Sequence, residues 1–228
     1  MKQSTACAAR SSVGAKALMA VTGVLLLLFV LAHMVGNLQI FSGPEKLNGY
    51  AAFLKGLGPL LWVMRFGLLA CLVLHVWAAT VVTRRNRAAR PIPYEQRQDR
   101  VSSYAARTMV WSGILVLAFV VYHLMHFTLG VYDPADAFAG RDAQGRPDVY
   151  GMVIAGFQNV PTTIAYVVAQ IILCVHIHHG ASSLVQSLGW RGPRSRRWTD
   201  LLGPGLAGLI LLGNLSMPLA VVTGLLGN

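Results

Sequence analysis

Five stretches of this chain are predominantly apolar over about twenty residues or more, and they limit the fold more than any other feature. A helix rising ~1.5 Å per residue needs about 20 apolar residues to cross ~30 Å of hydrocarbon. The stretches lie at about 17–41, 59–82, 106–131, 160–185 and 201–226. Inside lipid a backbone must satisfy its own N–H and C=O groups, which open segments achieve only as helices. The expected fold is therefore an all-α integral membrane protein with five transmembrane helices. Hydrophobic residues make up 55% of the 228 and charged residues 12%. That is too apolar for a disordered chain and too poor in charge to cover a water-soluble core. The first stretch is longer than the apolar core of a signal peptide, so it reads as a retained span. Pro59 suits a first helical turn, where its missing N–H costs nothing. Residues 1–228 read as one domain without a soluble catalytic module. The longest connection, about 132–159, is rich in Asp, Gly and Pro. No internal repeat is read from the sequence.

The net charge is +11, and its distribution gives an orientation. Lys2, Arg10 and Lys16 precede the first span. Arg84, Arg85, Arg87, Arg90, Arg97, Arg100 and Arg107 join the second to the third. Arg191, Arg194, Arg196 and Arg197 join the fourth to the fifth. These are 14 of the 19 basic residues, all on one side of the membrane. On the other side Lys46, Lys55, Arg65, Arg141 and Arg146 are diluted by Glu45, Asp133, Asp136, Asp142 and Asp148. The positive-inside rule puts the N-terminus in the cytoplasm and the C-terminus outside. The basic balance is thus a membrane signal, with no nucleic-acid partner implied.

The chemistry-bearing residues are the histidines. All seven (His33, His75, His123, His126, His176, His178 and His179) fall within the first four spans. Ionisable groups in a bilayer are costly and default to a functional role. Their depths sort them into two levels. His33 lies ~24 Å and His123 ~26 Å along helices that run outward, so both are in the outer half. His75 and His176 each lie ~24 Å along helices that run inward, so both are in the inner half. Two imidazoles at one depth are what a six-coordinate haem iron requires, since the macrocycle fills the other four positions. Zinc asks for four converging ligands, and di-iron sites ask for carboxylates, which the spans lack. The spacing therefore points to two bis-histidine b haems in a bundle of the first four helices.

Within the clusters, alternatives stay open. His176 is favoured over His179 because Gly180 lies one turn further on the same face, where a flat ring can approach the backbone. His123 is favoured over His126 by depth. Arg65 on the outer side and Arg84, Arg85 and Arg107 on the inner side are candidate partners for haem propionates, or simple interfacial anchors. Cys7, Cys71 and Cys174 stand apart with no CxxC pair, so they read as packing residues.

The strings SSVGAKALMAVTG, LAHMVGNLQIFSG, YAAFLKGLGPLLWVMR, SSYAARTMVWSG, YHLMHFTLG and HIHHGASSLVQSLGW resemble the membrane cytochrome b subunit of succinate dehydrogenase and fumarate reductase. The resemblance runs over about residues 11–190. It implies five helices holding two b haems between the first four, with His33 and His123 on the outer haem and His75 and His176 on the inner one. It also implies a bacterial cytoplasmic membrane and two partners on its inner face, an FAD-bearing flavoprotein and an iron–sulfur subunit. A membrane quinone, commonly menaquinone, is the implied redox partner. The implied role is electron transfer within the respiratory chain, with the dicarboxylate bound elsewhere. Two departures stand out. Cys174 occupies the place of a proton-handling glutamate before the fourth-helix ligand, and Lys55 stands where a quinone-site glutamate is sought. The runner-up is the dihaem cytochrome b subunit of another respiratory complex, of the nitrate reductase or hydrogenase type. The absence of histidine from the fifth helix speaks against it.

Overall fold

The computed structural model describes residues 12–89, 104–131, 140–187 and 192–227. Among them the fold is all-α, with one isolated bridge between Arg141 and Pro147. Five helices are long and apolar enough to cross a membrane. They are α1 (Ser12–Asn37), α3 (Pro59–Ala88), α4 (Tyr104–His123), α6 (Val160–Ser187) and α7 (Arg196–Val222). Two shorter helices, α2 (Pro44–Gly56) and α5 (Val149–Gln158), fill the connections α1–α3 and α4–α6.

The ends of the spans differ from the hydropathy boundaries. α3 continues beyond residue 82 to Ala88, because Arg85 and Arg87 sit in its last turn, where cations favour the helix dipole. α7 starts five residues before the expected 201, at Arg196, and ends at Val222. α1 tightens into a 3₁₀ segment, Leu38–Ser42. Gly43 then turns the chain at φ +89, a conformation that favours glycine. α4 widens into a π segment, Leu124–Thr128, directly after His123.

The two short helices went unread for different reasons: α2 is not apolar enough to announce a span, and α5 is apolar but only ten residues long. α2 has Pro44 in its first turn beside Glu45, and Lys55 in its last turn, matching the helix dipole at both ends. Asp148 caps α5, accepting from Gly151 N–H at 2.9 Å. Both helices lie at the same end of the bundle and pack on each other.

α1 packs against α3, α4 against α6, and α6 against α7. A core of Ile40, Leu47, Ile154, Phe157, Tyr166, Met217 and Val221 joins α5, α6 and α7 to the α1–α2 turn. A second core of Met34, Cys174, Ile177, Ala207 and Ile210 joins α1, α6 and α7. Cys174 is buried there as a packing residue; Cys71 is half-buried and Cys7 lies outside the described residues. The large apolar side chains of α3, among them Trp62, Phe66, Leu69 and Val73, stay exposed, as a lipid-facing surface requires.

The ends of the bundle differ in charge. Lys16, Arg84, Arg87, Arg194, Arg196 and Arg197 are exposed at the end where α1 begins. Lys2, Arg10, Arg90, Arg97, Arg100 and Arg191 lie outside the described residues. At the opposite end Arg146 bonds Glu45 through both terminal nitrogens, at 2.9 and 2.8 Å, and bonds Asp142 at 2.7 Å. The Arg146 guanidinium holds the Glu45 carboxyl below its ordinary range. Burial pushes Asp142 up, but hydrogen bonds from Arg146 and the Gln144 N–H outweigh it and leave that carboxyl low as well. Asn48, 1% exposed, donates to Asp148 at 3.0 Å and accepts from Tyr150 N–H at 2.8 Å. This network ties α2 to the loop before α5.

A candidate cofactor site between two helix pairs

The candidate ligands come from two helix pairs, α1 with α3 and α4 with α6. His75 of α3 lies against α1. A Cβ on Gly23 would stand 3.2 Å from its ring, so glycine permits that approach. His75 Nδ1 is 3.1 Å from the Met19 carbonyl and 3.2 Å from Thr22 Oγ1. The carbonyl can only accept, so Nδ1 carries the proton. Thr22 gives its own proton to Leu18 O at 2.7 Å. The Nε2 lone pair of His75 is left for another partner.

α4 and α6 repeat this arrangement. A Cβ on Gly113 would stand 3.4 Å from the His176 ring. Ser112 Oγ donates to Met109 O at 3.1 Å and lies 3.1 Å from His176 Nδ1. When the hydroxyl gives its proton to the carbonyl, His176 donates from Nδ1 and its Nε2 is left as a bare lone pair.

The outer histidines complete the parallel. His33 and His123 face each other with ring centroids 5.8 Å apart and planes at 83°. Phe29 stacks on His33 at 5.4 Å, and Phe119 lies 5.9 Å from His123. The residues Met19, Thr22, Gly23, Phe29 and His33 recur as Met109, Ser112, Gly113, Phe119 and His123, each displaced by 90 positions. The chain thus contains an internal repeat that the sequence reading did not find. Its signal is M-x2-[ST]-G-x5-F-x3-H, one hydroxyl and one glycine set a fixed distance before a histidine.

The alternatives fare differently. His126 is 2% exposed, so a large planar ligand has no face of it to reach. His179 Nε2 lies 3.0 Å from Ser183 Oγ of its own helix. His33 is exposed on this chain, while His75, His123 and His176 are half-buried and keep accessible surface. Around Gly180 nothing would meet an added Cβ within 4 Å.

The propionate candidates are less well placed. Arg65 is exposed, with its guanidinium 5.0 Å from the Trp62 ring centroid on α3, as an interfacial anchor would be. Arg84 is exposed and Arg85 half-buried at the last turn of α3. The Arg107 side chain lies outside the described residues.

The separation of the outer pair is of the size that a group bound between two imidazoles requires. Taking a metal–imidazole bond of ~2.0–2.1 Å, two rings on opposite faces of one ion have centroids about 6 Å apart. The outer pair stands close to that separation. Among the described residues, no three or more His, Cys, Asp or Glu side chains converge on one point. The fold is that of an all-α membrane protein, with His33 of α1 beside His123 of α4 and with His75 and His176 each packed against a glycine of the neighbouring helix. In comparison with family models, curated proteins and solved structures, the chain finds no match.

Proposed function

We propose that this chain is the dihaem cytochrome b anchor of a succinate:quinone oxidoreductase. The observation that carries the reading is the facing of His33 on His123, together with the matched Nδ1 anchoring of His75 and His176. His33 and His123 would hold the outer b haem, and His75 and His176 the inner one. The bound haems supply one-electron transfer across the apolar bundle. The chain's own contribution is positioning. Met19, Thr22 and Ser112 fix each inner imidazole in the tautomer that presents Nε2. Gly23 and Gly113 set the distance between the helices of each pair. The apolar surfaces of α1, α3, α4 and α6 exclude water.

In this reading the exposed arginines at the ends of α3 and α7 face the cytoplasm and form the docking surface for the flavoprotein and iron–sulfur subunits. The orientation follows from the positive-inside rule and puts α2 and α5 outside. A membrane quinone, menaquinone by resemblance, is the redox partner on the lipid side. The absence of histidine from α7 favours this family over the nitrate reductase type.

The test is a reduced-minus-oxidised spectrum with haem quantitation on the complex purified from its membrane. Two b haems per chain, reduced on adding succinate, are expected. No haem overturns the reading. Two haems that succinate fails to reduce would move the chain to another respiratory complex.

A further inference from the structure

Among the positions where the two copies of the repeat differ, one carries a buried polar group. The position that matches His126 in the first half is Gly36, which packs against Tyr50. In the second half the π segment brings His126 beside Tyr166 of α6, with His126 Nδ1 2.9 Å and His123 Nδ1 3.3 Å from the Tyr166 hydroxyl. Tyr166 is 5% exposed and His126 2% exposed. Phe119, Phe127 and Phe157 all pack on the Tyr166 ring, between 5.1 and 5.6 Å centroid to centroid, and hold it in place.

A phenol has one proton to donate, so it cannot serve both imidazoles as donor. We infer that Tyr166 is the positioning residue of the outer ligand pair, accepting a hydrogen bond from His123 Nδ1 and passing its own proton to His126 Nδ1. The chain then has a direction. His123 carries its proton on Nδ1 and keeps the Nε2 lone pair for a ligand. His126 accepts at Nδ1 and polarises the phenol, which makes the oxygen a stronger acceptor for His123. His126 is thereby a partner of the site rather than a ligand in it. Among the described residues His33 has no equivalent tyrosine–histidine relay, so the outer pair is asymmetric there. A hydrogen-bonded outer partner raises the basicity of a ligating histidine and favours the oxidised metal.

This inference rests on the dihaem reading. The experiment is a potentiometric optical titration of the purified complex, with the outer haem identified by its loss in His33→Ala. In Tyr166→Phe both haems are expected to remain, the outer midpoint potential to rise, and the inner one to stay unchanged. His126→Leu leaves the phenol as an unpolarised acceptor, so a smaller rise of the same sign is expected. No shift in either variant, an opposite shift, or an equal shift of both haems overturns the inference. If Tyr166→Phe loses the outer haem, His126→Leu decides alone on the same criterion. Wild-type protein without haem would instead remove the reading beneath it.

Discussion

Gly23 and His75 meet at the contact between α1 and α3, where a Cβ on the glycine would stand 3.2 Å from the imidazole Cε1. Gly113 and His176 repeat that relationship between α4 and α6, at 3.4 Å. Each glycine follows the hydroxyl residue that lies beside the same histidine's Nδ1. One dipeptide therefore sets the distance and places a hydroxyl beside the Nδ1 of each inner imidazole.

Enlarging these glycines has a graded cost. Gly23→Ala asks the His75 ring to give by a few tenths of an ångström. Gly23→Val forces the helices apart at a cost of ~1–3 kcal/mol, typical of overpacking. The valine variant is expected to lose the inner haem signal while keeping the outer one. Gly180→Ala puts a methyl where the haem plane would approach the backbone beside His176, so it is expected to weaken the inner haem signal and spare the outer one. Haem quantitation on membranes from the three variants checks this.

Ligand substitutions should separate by level. His33→Ala and His123→Ala are expected to remove one spectral component, and His75→Ala and His176→Ala the other. His179→Ala is expected to retain both haems, because its ring bonds Ser183 on its own helix. Loss of a haem in His179→Ala with retention in His176→Ala would reverse the assignment on α6.

Much of this arrangement was legible in the sequence. Five apolar stretches and histidines at two depths depend only on composition and rise per residue, which local reading captures. α2 was not legible, because PEKLNGYAAFLKG reads as a polar connection until Arg146, 101 positions beyond Glu45, pairs with it. α5 lies in a stretch whose Asp, Gly and Pro content suggests a loop, and its burial on α7 is a tertiary fact. The 90-residue repeat was hidden because its shared positions are few and the residues between them interchange freely among Val, Leu, Ile and Ala. Depth favoured His123 over His126 in the sequence, and the burial of His126 is a tertiary fact that no spacing argument reports.

The polar pair inside the membrane is a separate test of packing. Asn214 of α7 donates to Gln170 of α6 at 2.9 Å, and Gln170 is 9% exposed. Hydrogen bonds between membrane helices are worth ~0.6 kcal/mol on average. Asn214→Leu alone leaves Gln170 unpaired, so it should destabilise more than the double change Asn214→Leu with Gln170→Leu. A double-mutant cycle on thermal unfolding in detergent measures the coupling, and strict additivity would show that the pair contributes nothing.

Arg146 makes the polar cap sensitive to acid. Its partners Glu45 and Asp142 both have carboxyls held below their ordinary range. A depressed carboxyl contributes stability that is fully present above its unfolded pKa, about 4. That contribution is lost as the pH falls through the lower folded value. The melting temperature should therefore be flat at neutral pH and fall as the solution is acidified below about 4. In Arg146→Met the carboxyls lose the cation that lowers them. The variant should melt lower than wild type at pH 7, and the difference should close on acidification. Salt should narrow the gap only in part, because Asp142 and Arg146 are 11% and 22% exposed while Glu45 is 68% exposed. A gap that persists undiminished in acid would mean that Arg146 acts through the packing of its stem rather than through its charge.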